Sequence, residues 1–280
     1  MKKFATHFLN GKLVEEKELF VSARDLGFAR GFAVFDFLIT YNNQRPFMLK
    51  NHINRLFDSA KLIGLSMPWS KKQVEQWVVK TLDANKNGKE KAIKIIVSGG
   101  ASNSLLPAGK PTIVITVDNR NPFPAEYYEK GVGITTVKHS RHIPEAKTNN
   151  YIEAVKQMQV AKKFKAVEAV YYDDKQVFEG ASSNVFALIG GKLITPKTNV
   201  LQGVTRGVLL KILKMNIPVE EKDFTLAQLM KAKEVFLTAS NKEVMPVIKI
   251  NGKSVGSGKV GEITKEAMKQ FKNFTLSNKW

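Results

Sequence analysis

The chain has 280 residues and no cysteine, which excludes disulfides and zinc–thiolate sites. Its 43% hydrophobic and 25% charged residues are typical of a globular protein with one large core or two moderate ones. The net charge of +19 makes a nucleic acid or another anion a candidate partner. However, the basic residues are spread along the chain without interleaved aromatic residues, so a lysine-rich solvated surface is the better interpretation and no nucleic-acid partner is predicted.

The sequence predicts neither membrane insertion nor a metal site. Its first residues lack an apolar run of signal-peptide length, and no later stretch is long enough to span a bilayer. A cytoplasmic location is therefore expected. The four histidines include one pair at a spacing of three, His139 and His142, but this pair has no nearby carboxylate cluster.

The first half of the chain predicts a mixed sheet with two helices. Asn10-Gly11 and Asn42-Asn43 lie between apolar runs and indicate two hairpin turns. Residues 51–65 have helical spacing and end near Gly64, and a second helix is predicted to begin after Ser70. The runs "AIKIIVSG" and "PTIVITV" predict two further strands.

The second half also mixes strands and helices without a regular βαβ repeat, which favours an α+β fold. The segment "DNRNPFPAEYYEKG" is rich in proline, asparagine and charge, and it indicates a linker. We therefore expect a smaller domain over residues 1–118, a linker over 119–127 and a larger domain over 128–280.

Four segments, taken in order, carry a family resemblance. They are "NHINRLFDSAKLIGL", "EAKTNNYIEA", "EGASSNVF" and "LITPKTNVLQGVTRGVLLKIL". Together with the C-terminal segment they make the chain resemble, over nearly its whole length, the class IV (fold-type IV) pyridoxal-phosphate enzymes. That family contains D-amino-acid and branched-chain aminotransferases and aminodeoxychorismate lyase. The resemblance implies two α+β domains with pyridoxal 5'-phosphate between them, and a homodimer.

The resemblance assigns the central chemistry to two residues. Lys147 matches the catalytic lysine, whose amine binds the cofactor aldehyde and later carries the proton. Glu179 matches the glutamate beside the pyridine nitrogen, where a carboxylate keeps the nitrogen protonated and the ring electron-withdrawing.

The resemblance also implies where the cofactor phosphate and phenolic oxygen bind. Val204 and Thr205 match the phosphate-binding pair of a helix N-terminus, where backbone N–H groups and the helix dipole favour an anion. Arg55 matches the phosphate-binding arginine of the first domain, and Ser240 matches a further hydroxyl that contacts the phosphate. Tyr151 coincides with a tyrosine near the phenolic oxygen in branched-chain members.

The chain departs from its family at the substrate carboxylate. Phe35, Ser104 and Leu106 stand where typical D-amino-acid transaminases have tyrosine, arginine and histidine. Phe35 instead resembles the pocket phenylalanine of branched-chain enzymes. We hypothesise that Arg30, just before the pocket strand, receives a substrate carboxylate in place of the missing residues.

The sequence thus predicts a transaminase that moves an amino group between an amino acid and a 2-oxo acid such as 2-oxoglutarate or pyruvate. A D-amino acid is favoured, because the chain length and the C-terminal segment look like that group. A branched-chain L-amino-acid transaminase is the first alternative and a lyase of the aminodeoxychorismate type is the second. A basic anion-binding protein is the alternative without catalysis.

Overall fold

The computed structural model describes residues 5–280. Contacts divide the chain into two compact units, and each is described separately. Unit 1 comprises the chain through Asn121, the short segment Ala146–Asn150, and Trp280. Unit 2 comprises Pro122–Glu145 and Tyr151–Lys279.

Within the described residues, unit 1 contains one six-stranded antiparallel sheet and three α-helices. The strands are β1 (Thr6–Leu9), β2 (Lys12–Glu15), β3 (Ala33–Tyr41), β4 (Arg45–Pro46), β5 (Lys91–Ser98) and β6 (Thr112–Asn119). They lie in the order β2-β1-β6-β5-β3-β4. The helices are α1 (Leu26–Arg30), α2 (Leu49–Leu62) and α3 (Lys71–Ala84).

Side chains alternate between the two faces along the long strands, and one face of the sheet is covered by helices α2 and α3. Alternate residues of β3 such as Val34 and Leu38 point into a core with Ile53 and Leu56 of α2 and Val78 of α3. Their strand neighbours point to the opposite face. Both predicted hairpins are confirmed, with Asn10 and the Asn42-Asn43 pair at positive φ.

The two predicted helices of unit 1 are also confirmed. The Ser70 side chain accepts a hydrogen bond from the Gln73 N–H at 3.1 Å and so caps α3 as expected. Helix α2 begins at Leu49, two residues before the predicted start, after Met48 at positive φ. Helix α1 was not predicted; it has only five residues and begins where the Asp25 side chain accepts from Gly27 N–H.

Unit 2 is built on a nine-stranded mixed sheet within the described residues. Its strands are β7 (Val132–Lys138), β8 (Ala166–Tyr172), β9 (Val177–Gly180), β10 (Asn184–Ile189), β11 (Lys192–Thr195), β12 (Val219–Glu221), β13 (Val235–Ala239), β14 (Glu243–Ile250) and β15 (Lys253–Ser254). The order is β12-β11-β10-β13-β14-β7-β8-β9, with β15 on β14. The helices are α4 (Ala125–Glu129), α5 (Ile152–Lys163), α6 (Val204–Ile212), α7 (Leu226–Met230) and α8 (Glu262–Leu276).

The sheet of unit 2 contains parallel strand pairs as well as antiparallel hairpins. Strands β7 and β8 are parallel, and the chain between them contains α5, since parallel neighbours need a long crossover. Strand β14 pairs with β7 and β12 with β11 in the same sense. An antiparallel sheet with helices in unit 1 and a mixed sheet with helices in unit 2 confirm the predicted α+β class.

The crossover from β7 to α5 contains the segment of the candidate lysine. Residues Ala146–Asn150 form their contacts with unit 1, whereas the residues on either side belong to unit 2. The sequence-based division assigned this segment to the C-terminal domain. The predicted linker at 119–127 contains the end of β6 and the first residues of α4.

Trp280 also joins unit 1. Its ring lies 4.8 Å from the Phe47 ring and 4.5 Å from the guanidinium carbon of Arg45. Throughout residues 5–280, every helix is too short or too polar to cross a bilayer.

Candidate active site

The backbone around Lys147 is fixed to the edge of β3. The Phe35 N–H donates to the Lys147 carbonyl at 2.9 Å, and the Asn149 N–H donates to the Ala33 carbonyl at 3.0 Å. The Lys147 N–H donates to the hydroxyl of Ser59, a buried residue of α2, at 3.0 Å. The lysine is therefore held on both sides through its backbone, which fixes the position from which its side chain extends.

The Lys147 ammonium lies over an aromatic ring. Its Nζ is 4.5 Å from the ring centroid of Phe35, at a distance typical of a cation–π contact. Both side chains are half-buried. The predicted catalytic lysine and the predicted pocket phenylalanine are thus brought together.

Arg55 forms an ion pair with a buried carboxylate, Asp36, that the sequence did not point to. Its Nε donates to Asp36 Oδ2 and its Nη2 to Asp36 Oδ1, both at 2.8 Å. Asp36 is fully buried and also contacts His52 Nδ1 at 2.7 Å. Burial raises the pKa of Asp36, but Arg55 and His52 outweigh it and hold the pKa well below its usual range.

His52 completes this cluster as a neutral ring. Burial lowers its pKa, with further lowering by Arg55 and Lys147, against the opposing effect of Asp36. An ionised Asp36 requires a proton on Nδ1, and Nε2 is buried without a partner among the described residues. Protonation of Nε2 would bury an unpaired donor, so the cluster consists of one anion, one cation and a neutral histidine.

In unit 2, Glu179 is a buried carboxylate with several donors. It lies on β9, is 4% exposed, and accepts from Arg141 Nε at 2.7 Å through Oε1. Its Oε2 accepts from the Leu201 N–H at 2.9 Å and from Asn184 Nδ2 at 3.3 Å. These bonds fix the orientation of the carboxylate.

Sequence analysis also missed Arg141. Its Nη2 donates to the Ala181 carbonyl at 2.6 Å, and its guanidinium carbon is 5.3 Å from the ring centroids of both Tyr151 and Tyr171. Burial opposes its charge, but Glu179 and the tyrosines keep its pKa raised. The available signal was an arginine six residues before Lys147 in a lysine-rich chain. Predicted Tyr151 and Glu179 are therefore joined through Arg141.

The N-terminus of α6 is suited to a phosphate. Val204 opens the helix, Thr205 is buried, and the N-cap residue, Gly203, has no side chain that could cap the first turn. A Cβ on Gly203 would lie 1.9 Å from Asn184 Oδ1, so only glycine allows this close approach. The residues present fit an anionic group bound by backbone N–H groups and a hydroxyl.

A fully buried arginine shapes the loop before this helix. Arg206 donates through Nη2 to the Pro196 carbonyl at 2.8 Å and to Glu221 Oε1 at 2.7 Å, and through Nη1 to Gln202 Oε1 at 2.9 Å. These bonds join both ends of the loop to the helix that follows. Arg206, in the first turn of α6, therefore fixes the position of that turn relative to the preceding loop.

Two predicted residues remain, Ser240 and Arg30. Ser240 is half-buried and follows β13. Arg30 ends α1, is exposed, and donates through Nη1 to the Ala29 carbonyl at 2.9 Å. It lines a groove of about 530 Å³ with Arg24 and residues 102–105, which include Ser104.

Residues 33–250 match the family Amino-transferase class IV. This chain belongs to the class IV aminotransferase family. Members use pyridoxal phosphate, and aminotransferases act on amino acids and 2-oxo acids. The predicted family, cofactor and general activity are confirmed.

The relatives of this class IV aminotransferase carry two different names. A Methanocaldococcus jannaschii protein named as a branched-chain-amino-acid aminotransferase is 36% identical over 285 residues, covering 98% of this chain and 96% of the relative. A Staphylococcus aureus D-alanine aminotransferase is 33% identical over 279 residues, covering 97% and 98%.

Solved structures share the whole fold of this class IV aminotransferase. A branched-chain amino acid aminotransferase of Escherichia coli superposes with a TM-score of 0.91 at 25% identity, covering 99% of this chain and 98% of the other. A branched-chain aminotransferase of Thermoproteus uzoniensis, solved with norvaline, gives 0.89 at 27% identity, covering 98% and 95%. The fold-type IV prediction is therefore confirmed.

Proposed function

We propose that this class IV aminotransferase moves an amino group from a D-amino acid to a 2-oxo acid, with Lys147 as the catalytic residue. The observation that carries the proposal is the fixed backbone of Lys147 at the β3 edge, with its ammonium over Phe35. The D-alanine aminotransferases among the relatives, aligned over 97% of the chain, support the D preference. 2-Oxoglutarate and pyruvate are the proposed acceptors.

The residues of this chain would have separate roles around the cofactor. Pyridoxal phosphate supplies the aldehyde that takes up the amino group and the ring that withdraws electrons. Lys147 Nζ would take the proton from the substrate Cα and deliver it on the product side. The Glu179 carboxylate would accept a hydrogen bond from the protonated ring nitrogen, and Arg141 holds that carboxylate in its orientation.

Phosphate donors are proposed for each unit separately. In unit 2 the N–H groups of Val204 and Thr205, the Thr205 hydroxyl and Ser240 are the proposed donors. In unit 1 the proposed donor is Arg55, pre-oriented by Asp36. Tyr151 would contact the phenolic oxygen, and Arg30 and Phe35 would contact the substrate.

A branched-chain L-amino-acid transaminase is the second candidate. The archaeal relative at 36% identity carries that name, and the superposed structures carry it too. Phe35 and Tyr151, which resemble branched-chain members, support the same alternative.

A half-reaction screen separates the two candidates. The cofactor-loaded protein is mixed with the D and L forms of alanine, glutamate and leucine without an acceptor, and the visible absorbance of the bound cofactor is followed. We expect rapid bleaching with D-alanine or D-glutamate and none with L-leucine, and none at all for Lys147→Ala. Bleaching by L-leucine alone would establish the branched-chain alternative instead.

We also propose that the protein is a homodimer. Helix α5 and its C-cap residue present large apolar side chains to solvent, namely Ile152 at 81% and Val155 at 56% exposure in the helix and Phe164 at 71% at the cap. Such a concentration of exposed apolar groups on one helix is unusual for a monomer, and burying it against a second copy would remove it from water.

A further inference from the structure

A buried ion pair contacts the turn that follows Glu179. Glu168 of β8 is completely buried, and the side chain of Lys242, in the turn between β13 and β14, is only 4% exposed. The Lys242 Nζ lies 3.5 Å from Glu168 Oε2 and donates to the Ser182 hydroxyl at 2.7 Å. Two opposite charges are thus withdrawn from water, with a hydroxyl group of the turn bonded to both.

Glu168 accepts hydrogen bonds from three groups of that turn. Its Oε1 accepts from the Ser182 N–H and from Ser182 Oγ at 2.8 Å, and its Oε2 accepts from Ser183 Oγ at 2.5 Å. The Gly180 N–H closes the turn by donating to the Ser183 carbonyl at 2.7 Å. A Cβ on Gly180 would lie 2.9 Å from Glu168 Oε2, so the backbone next to Glu179 approaches this second carboxylate closely.

The same turn contacts the donors of the Glu179 carboxylate. Arg141 donates through Nε to Glu179 and through Nη2 to the carbonyl of Ala181, which lies in the turn. Asn184 follows the turn and donates to Glu179 Oε2 at 3.3 Å. A displacement of the turn would therefore move Asn184 and one of the two acceptors of Arg141, and the orientation of Glu179 depends on both donors.

The ion pair is better suited to fixing a geometry than to stabilising the fold. Removing each charge from water carries a large desolvation cost, and apolar residues of similar volume often stabilise a protein equally well. A buried ion pair with satisfied hydrogen bonds does, however, strongly disfavour other arrangements, because a displaced partner leaves an uncompensated buried charge. Glu168 and Lys242 therefore hold the turn in one position.

We infer that Glu168 and Lys242 are positioning residues that hold Glu179 toward the ring nitrogen of pyridoxal phosphate. The inference rests on the proposed role of Glu179. The Lys242 ammonium donates to Ser182 Oγ, and the Ser182 hydroxyl donates to Glu168, so the hydrogen bonds run in one direction through the turn. Lys242 also follows Ser240 by two residues, so one side chain links the turn of the proposed phosphate donor to the turn beside Glu179.

The test compares the binding of two cofactors in absorbance titrations. 1-Deazapyridoxal phosphate has a C–H in place of the ring nitrogen of pyridoxal phosphate, so wild type should bind pyridoxal phosphate more tightly. Lys242→Met removes the ammonium at a similar side-chain length and should reduce this preference roughly tenfold. Lys249→Met, which removes an exposed lysine of β14, is the matched control and should leave the preference unchanged.

A second variant keeps both charges in place. Ser182→Ala removes the hydroxyl between Lys242 and Glu168, and Ser182 is exposed, so we expect this variant to fold. It should reduce the preference for pyridoxal phosphate roughly threefold. An equal rise of both Kd values in Lys242→Met, or an undiminished preference in both variants, would overturn the inference, because a merely structural role affects the two cofactors alike.

Hydrogen exchange of the full chain without cofactor separates the inference from the proposed function. The amides of Gly180, Ala181 and Ser182 should exchange roughly tenfold faster in Lys242→Met than in wild type or Lys249→Met. Unchanged exchange would overturn the inference. Equal binding of the two cofactors by wild type and by Glu179→Gln would instead overturn the proposed role of Glu179, while the exchange rates still test how Lys242 holds the turn.

Discussion

At the residue scale, Asp36 determines how Arg55 is presented. The carboxylate is fully buried, and its pKa is held low by Arg55 and His52 against the effect of burial. Asp36→Asn removes the negative charge but keeps the shape, so Arg55 becomes a poorly compensated charge that is only 12% exposed. We expect the free energy of unfolding to fall by about 3 kcal/mol in urea denaturation.

The control for Asp36 lies on helix α2. Asp58 is exposed on the same helix as Arg55, and Asp58→Asn should change the free energy of unfolding by less than about 0.5 kcal/mol. An equal loss of unfolding free energy in both variants would mean that general surface charge, and not the Asp36–Arg55 ion pair, is responsible.

Local motifs in the sequence predicted the residues that are proposed to carry chemistry, but they did not predict the residues that contact them. Lys147, Glu179 and Arg55 stand in recognisable local patterns. Arg141 meets Glu179 across 38 positions, and Asp36 meets Arg55 across 19, so both pairs depend on how strands and helices pack. Which side chains pair in this way depends on the tertiary structure, and a single sequence does not reveal it.

At the element scale, the start of α6 depends on one glycine. A Cβ at position 203 would meet Asn184 Oδ1 at 1.9 Å, and Asn184 in turn donates to the Leu201 carbonyl at 2.8 Å and to Glu179. Gly203→Ala must displace Asn184 and the first turn of the helix. We expect the Kd for pyridoxal phosphate to rise roughly tenfold or more in an absorbance titration.

A second glycine of the same helix provides the control. A Cβ on Gly207 would meet nothing within 4 Å, and its φ is not positive. Gly207→Ala should bind the cofactor like wild type and unfold about 0.5 to 1 kcal/mol less readily, because alanine favours a helix interior. Loss of cofactor affinity in both variants would show that α6 tolerates no added methyl group anywhere.

Elements were predictable where a periodic pattern was long. Helices α2, α3 and α5 each have twelve or more residues, and their apolar spacing was visible in the sequence. Strand β12 has three residues and helix α1 five, which is too short for any period to emerge. These short elements form because the neighbouring sheet or capping residue provides their hydrogen bonds.

At the scale of the whole molecule, the apolar side of α5 provides the test of self-association. Ile152 and Val155 are three residues apart on a helix and so lie side by side. If a second copy covers them, the double substitution Ile152→Glu and Val155→Glu should shift the sedimentation coefficient from dimer to monomer, since burying two carboxylates without partners is costly.

The comparison variant for this test is Val79→Glu. Val79 is 42% exposed on α3, and a carboxylate there should leave the sedimentation coefficient unchanged. Dissociation by Val79→Glu as well, or a wild-type protein that sediments as a monomer, would contradict the proposed dimer.

The route of the chain through unit 1 has a consequence for the order of events during synthesis. The last strand of its sheet, β6, ends at Asn119, but the backbone partners of Ala33 and Phe35 come from Ala146–Asn150, and Trp280 packs on Phe47. Domains generally fold as they emerge from the ribosome. Here the first-made unit keeps an unfinished edge until the segment with Lys147 arrives. Lys147, the proposed catalytic residue, thus lies in the late-made segment that completes the unit made first.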